Sequence, residues 1–187
     1  MKNYIISGIR LTVVCLVFFV GIYTLFIWGI AQLTPTKGKG EIVEYKGKAY
    51  YANIGQSFTE PKYFNSRPSA VNYNAAGSGG SNKGPSNPEY LAEVQKRVDT
   101  FLILNPGVSK KDIPVDLVTA SGSGLDPDIS VQAAKVQVNR IAKIRAIEPA
   151  RLNQLISENT RKPLFGLFGP EKINVLQLNI ALDKLQS

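Results

Sequence analysis

The residues best placed for acid–base work, or for holding a hard cation, are Asp126 and Asp128, two apart in ASGSGLDPDIS (120–130). Few other acids lie near them. Aspartates so placed on a loop make Asx-turns and help cap the helix that follows, and that is the role expected here. Histidine is absent and Cys15 is the single cysteine. That excludes a Ser-His-Asp or Cys-His relay, a histidine zinc ligand, an intrachain disulfide and a cysteine metal cluster. The glycine-rich stretches GKG and GGSNKG do not match G-x-x-x-x-G-K-[ST], so no phosphate cradle is expected. No aspartate has the neighbours of a phosphorylated-aspartate motif. Lys135, Arg140, Lys143 and Arg145 fall off an apolar stripe and should form a basic face. Such a face is usually only solvated, although it could meet an acidic partner. The net charge is +8, but the Lys and Arg residues are scattered and not interleaved with Phe or Tyr, so nucleic acid is not an expected partner.

The stretch that these loops centre on is Arg67–Pro88, RPSAVNYNAAGSGGSNKGPSNP. By composition it is a flexible linker, since small polar residues bury little apolar surface. It lies between patterned segments, however, and long structureless loops inside a domain are uncommon unless functional or disordered. Its glycines could supply positive φ and close backbone approach. Its last residues cap a helix, and a second Gly/Ser loop follows at 120–130. Both loops are therefore expected to be ordered parts of one surface.

Three segments must position that surface. Residues 1–10 are a short tail. Residues 11–33, LTVVCLVFFVGIYTLFIWGIAQL, carry no charge and are long enough to cross a bilayer core. The run is too long for a cleaved signal peptide and no A-x-A follows; Cys15 sits too early for a lipoprotein signal. A single uncleaved anchor is expected. Lys2 and Arg10 before it nearly balance Lys37 and Lys39 after it, so the positive-inside rule is close to a tie. The short tail tips the expectation toward a domain, 34–187, outside the cytoplasm.

Within that domain the expected class is α+β, short antiparallel strands first and several helices after. Ile42–Tyr45 and Ala49–Tyr51 should form a hairpin turned at Lys46-Gly47-Lys48. Lys62-Tyr63-Phe64 should be another short strand. Asn87, Pro88 and Glu89 open a helix with Leu91, Val94, Val98 and Phe101 as its buried stripe, and Asn105-Pro106-Gly107 stops it. Val115–Thr119 is a strand or a helical turn. Ser130 caps a helix with Val131, Ala134, Val138, Ile141 and Ala142 inward. Pro149 opens another with Leu152, Leu155 and Ile156 inward. LFGLFGPEK (164–172) is a turn or lid with Phe165 and Phe168 prone to exposure. Asn174 caps the last helix, with Val175, Leu178, Leu182 and Leu185 inward.

Taken together, RPSA…YN…GSGGSNKGPSNP, PVDLVTASGSGLDPDIS, QVNRIAKIRAI and INVLQLNIALDKL closely resemble the C subunit of the Kdp-type potassium-transporting P-type ATPase. The resemblance runs from the anchor to the C-terminus, with separated motifs in the right order. Arg67, Ser69, Asn74, Ser78, Gly79, Gly80, Ser81, Asn82, Ser121, Ser123 and Asp126 match the family pattern and are the candidates for partner contact or loop shaping. The chain departs from it at Asp128, commonly His or another polar residue, and at Lys83, often Leu. The resemblance implies a non-catalytic accessory subunit in a bacterial plasma membrane. Its partners would be a channel-like potassium-translocating subunit and a P-type pump subunit, and ATP and potassium would be handled by the complex. The role usually described is a catalytic chaperone that raises the pump's ATP affinity. Direct nucleotide contact through Arg140, Lys143 and Arg145 is the alternative, and an independent membrane-anchored enzyme a remote one.

Overall fold

The computed structural model describes residues 2–185. Met1, which opens the expected tail, and Gln186–Ser187, which end the expected domain, lie outside them. The described chain divides after Ile42 into two compact units. In the first, helix α1 (Lys2–Leu16) runs through a π-helical stretch, Val17–Tyr23, into α2 (Thr24–Gln32). The Thr24 hydroxyl donates to the Phe19 carbonyl at 3.0 Å, the wider spacing that a π turn opens. Tyr4–Gln32 is one continuous helix long and apolar enough to cross a membrane, and its large apolar side chains are exposed. It is longer than the expected 11–33 because helix geometry continues back through Arg10 into the tail.

The second unit begins with the expected hairpin, β1 (Ile42–Tyr45) beside β2 (Lys48–Tyr51). Lys46 and Gly47 both adopt positive φ at its turn. Helix α3 (Pro88–Leu104) is capped by the Asn87 side chain, which accepts from the Tyr90 amide at 2.9 Å. Val98 and Phe101 bury as expected, but Leu91 is 51 % exposed. The first turns of α3 therefore lie outside the core, and the apolar stripe overstates the buried face. Residues 115–117 form a 3-10 turn, the helical alternative.

Ser130 caps α4 (Val131–Lys135) by accepting from the Ala133 amide at 3.0 Å. The helix expected there is interrupted, resuming as α5 (Val138–Arg145). Next come α6 (Pro149–Glu158) and α7 (Val175–Lys184), the latter capped by Asn174. A three-stranded antiparallel sheet joins distant parts of the chain. β3 (Asp128–Ile129) and β4 (Thr160–Arg161) both pair with the central β5 (Lys172–Asn174). Ile129 and Thr160 both face Ile173 in its register. The core gathers Phe64, Ile141, Leu152, Ile156, Ile173, Leu178 and Leu182.

Lys62-Tyr63-Phe64 is not a strand, and the reason lies in its hydrogen bonds. Buried Asn179 on α7 accepts from the Phe64 amide and donates to the Phe64 carbonyl, both at 2.9 Å. Gln137 accepts from the Asn65 amide at 2.8 Å. Side chains thus occupy the backbone groups that a neighbouring strand would have used, and Phe64 is held fully buried.

Candidate functional site

The two Gly/Ser loops pack on each other. Ser69 organises the first turn of 67–88: its hydroxyl accepts from the Tyr73 amide at 2.9 Å and the Val71 amide at 3.2 Å. The same hydroxyl donates across to the Gly124 carbonyl at 2.7 Å. The Tyr73 hydroxyl donates back to the Arg67 carbonyl; burial pushes that phenol above its ordinary pKa. The Ser121 amide donates to the Pro68 carbonyl at 3.2 Å. The Gly79 amide and the Ser78 hydroxyl both donate to the Ser123 carbonyl, each at 2.9 Å. Arg67 and Asp126 close the arrangement with an ion pair at 2.7 Å, half-shielded from solvent. A stretch with linker composition is thus ordered by bonds to a second loop.

None of the glycines in 67–88 supplies positive φ; Asn72, Tyr73 and Asn82 do, and the glycine that does belongs to the other loop, Gly124 at φ +67°. A Cβ there would lie 2.5 Å from Val71 Cγ2 and 2.9 Å from the Gly79 carbonyl oxygen. Gly55 makes the second close approach, its amide donating to the Leu125 carbonyl at 2.7 Å. A Cβ on Gly79, by contrast, would meet only ordinary contact, and one on Gly80 would approach the Gly122 carbonyl to 3.1 Å. Asn74 accepts from the Ala76 amide and shapes the loop locally, while Ser81 and Asn82, the latter at positive φ, lie on the stretch that leads to the Asn87 cap.

Asp126 and Asp128 do not converge. One Asp126 oxygen pairs with Arg67 and the other accepts from the Asp128 amide at 3.0 Å, an Asx-turn. Asp128 pairs instead with Lys172 at 2.6 Å. Among the described residues, no three acids, cysteines or histidines gather as a metal site would require.

The expected basic face is corrected at two positions. Arg140 is 6 % exposed and points inward. Its guanidinium donates to Asn105 Oδ1, to the Pro61 and Tyr63 carbonyls and to Gln137 Oε1, at 2.5–3.1 Å. Burial pulls its pKa down to about 10. Arg145 turns onto Asp183 at 2.6 Å and stacks over the Tyr63 ring. Lys135 and Lys143 stay exposed. Apolar periodicity places residues on a helix; it does not show that 61–66 would cover the opposite side of α5.

Asp183, unmarked in the sequence, is the other centre. It accepts from Tyr45 and Tyr63 hydroxyls, Lys46 and Arg145, fastening the hairpin and the 61–66 segment to α7. Burial alone would raise its carboxyl pKa, but these hydrogen bonds outweigh burial and hold it well below the ordinary 3.8. A carboxylate with a depressed pKa adds stability that is complete above about pH 4 and fades as pH falls toward its folded value. Asp183→Asn is therefore expected to lower stability at pH 7 by about 2 kcal/mol. It should also flatten the acid limb of a thermal-unfolding profile below about pH 4, from there down to about pH 2. A limb as steep as that of the unaltered chain would place the acid sensitivity elsewhere.

The comparisons with known proteins meet this geometry over the whole chain. The family model described as "K+-transporting ATPase, c chain" matches residues 5–184. The chain belongs to this KdpC family. It is 54 % identical to a potassium-transporting ATPase KdpC subunit of Flavobacterium johnsoniae, covering 100 % of both chains. It is 50 % identical to the KdpC subunit of Bacteroides fragilis over 98 % of each chain. The KdpC subunit of Bacillus cereus is 45 % identical, over 98 % of this chain and 97 % of its own. The family match spans both the long apolar helix and the paired loops.

Proposed function

We propose that the chain is a non-catalytic accessory subunit of a bacterial ATP-driven potassium-uptake complex. Its helix anchors it in the plasma membrane once, and its domain stands outside the cytoplasm. The paired loops, 67–88 and 120–130, form the surface that docks on the channel-like and pump subunits, and any effect on the pump's use of ATP passes through that contact. The observation that carries this reading is the ordering of two Gly/Ser loops against each other by Ser69, Ser78, Ser121 and Arg67. A linker needs no such bonds, and no candidate catalytic constellation lies among them. Direct nucleotide contact is disfavoured because Arg140 is enclosed and Arg145 is engaged by Asp183.

Gly122 tests both parts at once. It is exposed, and a side chain there meets nothing within 4 Å. In a Cys15→Ser background, Gly122→Cys should react with a bulky impermeant maleimide from outside intact cells when the chain is expressed without its partners. Co-expression with the transport subunits should protect it, while Lys111→Cys stays reactive. Reaction only after permeabilisation would overturn the outward domain. Equal reaction with and without the partners would overturn the docking face.

A further inference from the structure

The connection between β4 and β5 carries the largest apolar display on the second unit. Leu164 is 63 % exposed, Phe165 83 %, Leu167 81 % and Phe168 66 %. No strand or helix covers them, yet the loop is tightly built. The Leu164 and Phe168 amides each donate to the other's carbonyl at 3.0 Å. The Gly166 amide donates to the Pro163 carbonyl at 2.9 Å, and the Leu167 amide to that of Leu164 at 3.1 Å. Phe165 is held at φ +54°, a conformation unfavourable for a large side chain, and this keeps it at the tip.

We infer that the 164–168 tip inserts into the interfacial layer of the bilayer, with an anionic lipid headgroup received between Lys135 and Lys162 at its base. Three observations favour a lipid surface over a protein pocket. The tip satisfies four of its own backbone amides, as an apolar medium demands and water does not. Its stem keeps a net positive charge: Arg161 stands opposite Lys172 in the β4–β5 register and Lys162 is exposed beside them, against Glu171 and against Asp128, which pairs with Lys172 at 2.6 Å. Below it lies a depression of about 440 Å³ lined by Lys135, Lys162, Glu171, Asn153 and Ser157, which suits a phosphate headgroup. Apolar insertion combined with cationic attraction is how peripheral segments hold anionic bilayers. The long apolar helix would keep the domain near a membrane.

The test uses the full chain in the assembled complex, reconstituted in nanodiscs. In a Cys15→Ser background, Leu167→Cys carries an environment-sensitive fluorophore, and Lys111→Cys is the control. Lipids bearing a nitroxide high on the acyl chain should quench the tip label about twofold and leave the control unchanged. Lys135→Glu with Lys162→Glu should reduce that quenching in discs containing phosphatidylglycerol, and not in purely zwitterionic discs. A tip label that is quenched only by aqueous iodide would overturn the inference. So would a label shielded from both quenchers, which would place the tip in a pocket of another subunit. Quenching that ignores the two Lys→Glu changes would overturn the headgroup site.

Discussion

Gly124→Ala should destabilise the domain by about 2–4 kcal/mol, and Gly122→Ala two residues away should change it by less than about 0.5 kcal/mol. Gly124 sits at φ +67°, where an L-side chain is strained. Its Cβ would come within 2.5 Å of Val71 Cγ2, within 2.9 Å of the Gly79 carbonyl oxygen and within 3.2 Å of Ser69 Oγ. Val71 can turn away, but Gly79 is backbone, so the two loops must part. Gly122 has ordinary φ and open space. The comparison therefore separates loss of a methyl-sized gap from loss of glycine as such. Denaturant unfolding of the purified full chain measures the difference. Hydrogen exchange at the Gly79 amide, bonded to the Ser123 carbonyl, should speed up in Gly124→Ala and not in Gly122→Ala. Equal, small effects at both positions would mean that the loops do not depend on each other for their order.

Arg140→Ala should cost about 3–5 kcal/mol, because it leaves four neutral acceptors without this donor at once. Arg140 has no carboxylate partner among its hydrogen bonds; its guanidinium is satisfied by two carbonyls and two side-chain amides. Removing it leaves the Pro61 and Tyr63 carbonyls and the side chains of Asn105 and Gln137 short of a donor in a site that water scarcely reaches. Gln137 in turn holds the Asn65 amide, so the segment that carries the buried Phe64 should loosen. Arg140→Lys should recover only part of the loss, since an ammonium cannot match a planar fork with donors in four directions. Thermal unfolding with and without Mg-ATP is the measurement. A normal melting point together with altered ATP dependence of the assembled pump would return Arg140 to the nucleotide-contact role that its place off the apolar stripe suggests.

These two residues show where reading the chain one segment at a time stops. Arg140 lies off the apolar stripe of α5, and on an isolated helix that means solvent. The fold lays 61–66 over that side, and a carbonyl-lined slot takes the guanidinium. Asn179 did carry a signal, being polar within the largely apolar run INVLQLNIAL, and a polar residue so placed must find a partner when it is buried; Gln137, among Lys135, Asn139 and Arg140, carried none. The partner could not be named, because it lies 115 residues away for Asn179 and 72 for Gln137.

Local chemistry was sufficient for much of the rest. An uncharged apolar run of this length dictates a helix long and apolar enough to cross a membrane, whatever follows it. Asn87, Ser130 and Asn174 cap helices because a short polar side chain can reach an amide two or three residues ahead without help from the fold. The hairpin at Lys46-Gly47 closes through its own turn. The motifs that carry the family resemblance also lie in continuous stretches. Tertiary structure alone decided the β3–β5–β4 sheet, whose two- and three-residue strands are too short to show an alternating pattern. It alone supplied the bonds that order Arg67–Pro88, an order already expected from the loop's place between patterned segments. Small polar residues have almost no conformational preference strong enough to order themselves; their order comes from the carbonyls of Ser123 and Gly124, and only the closed fold brings those within reach.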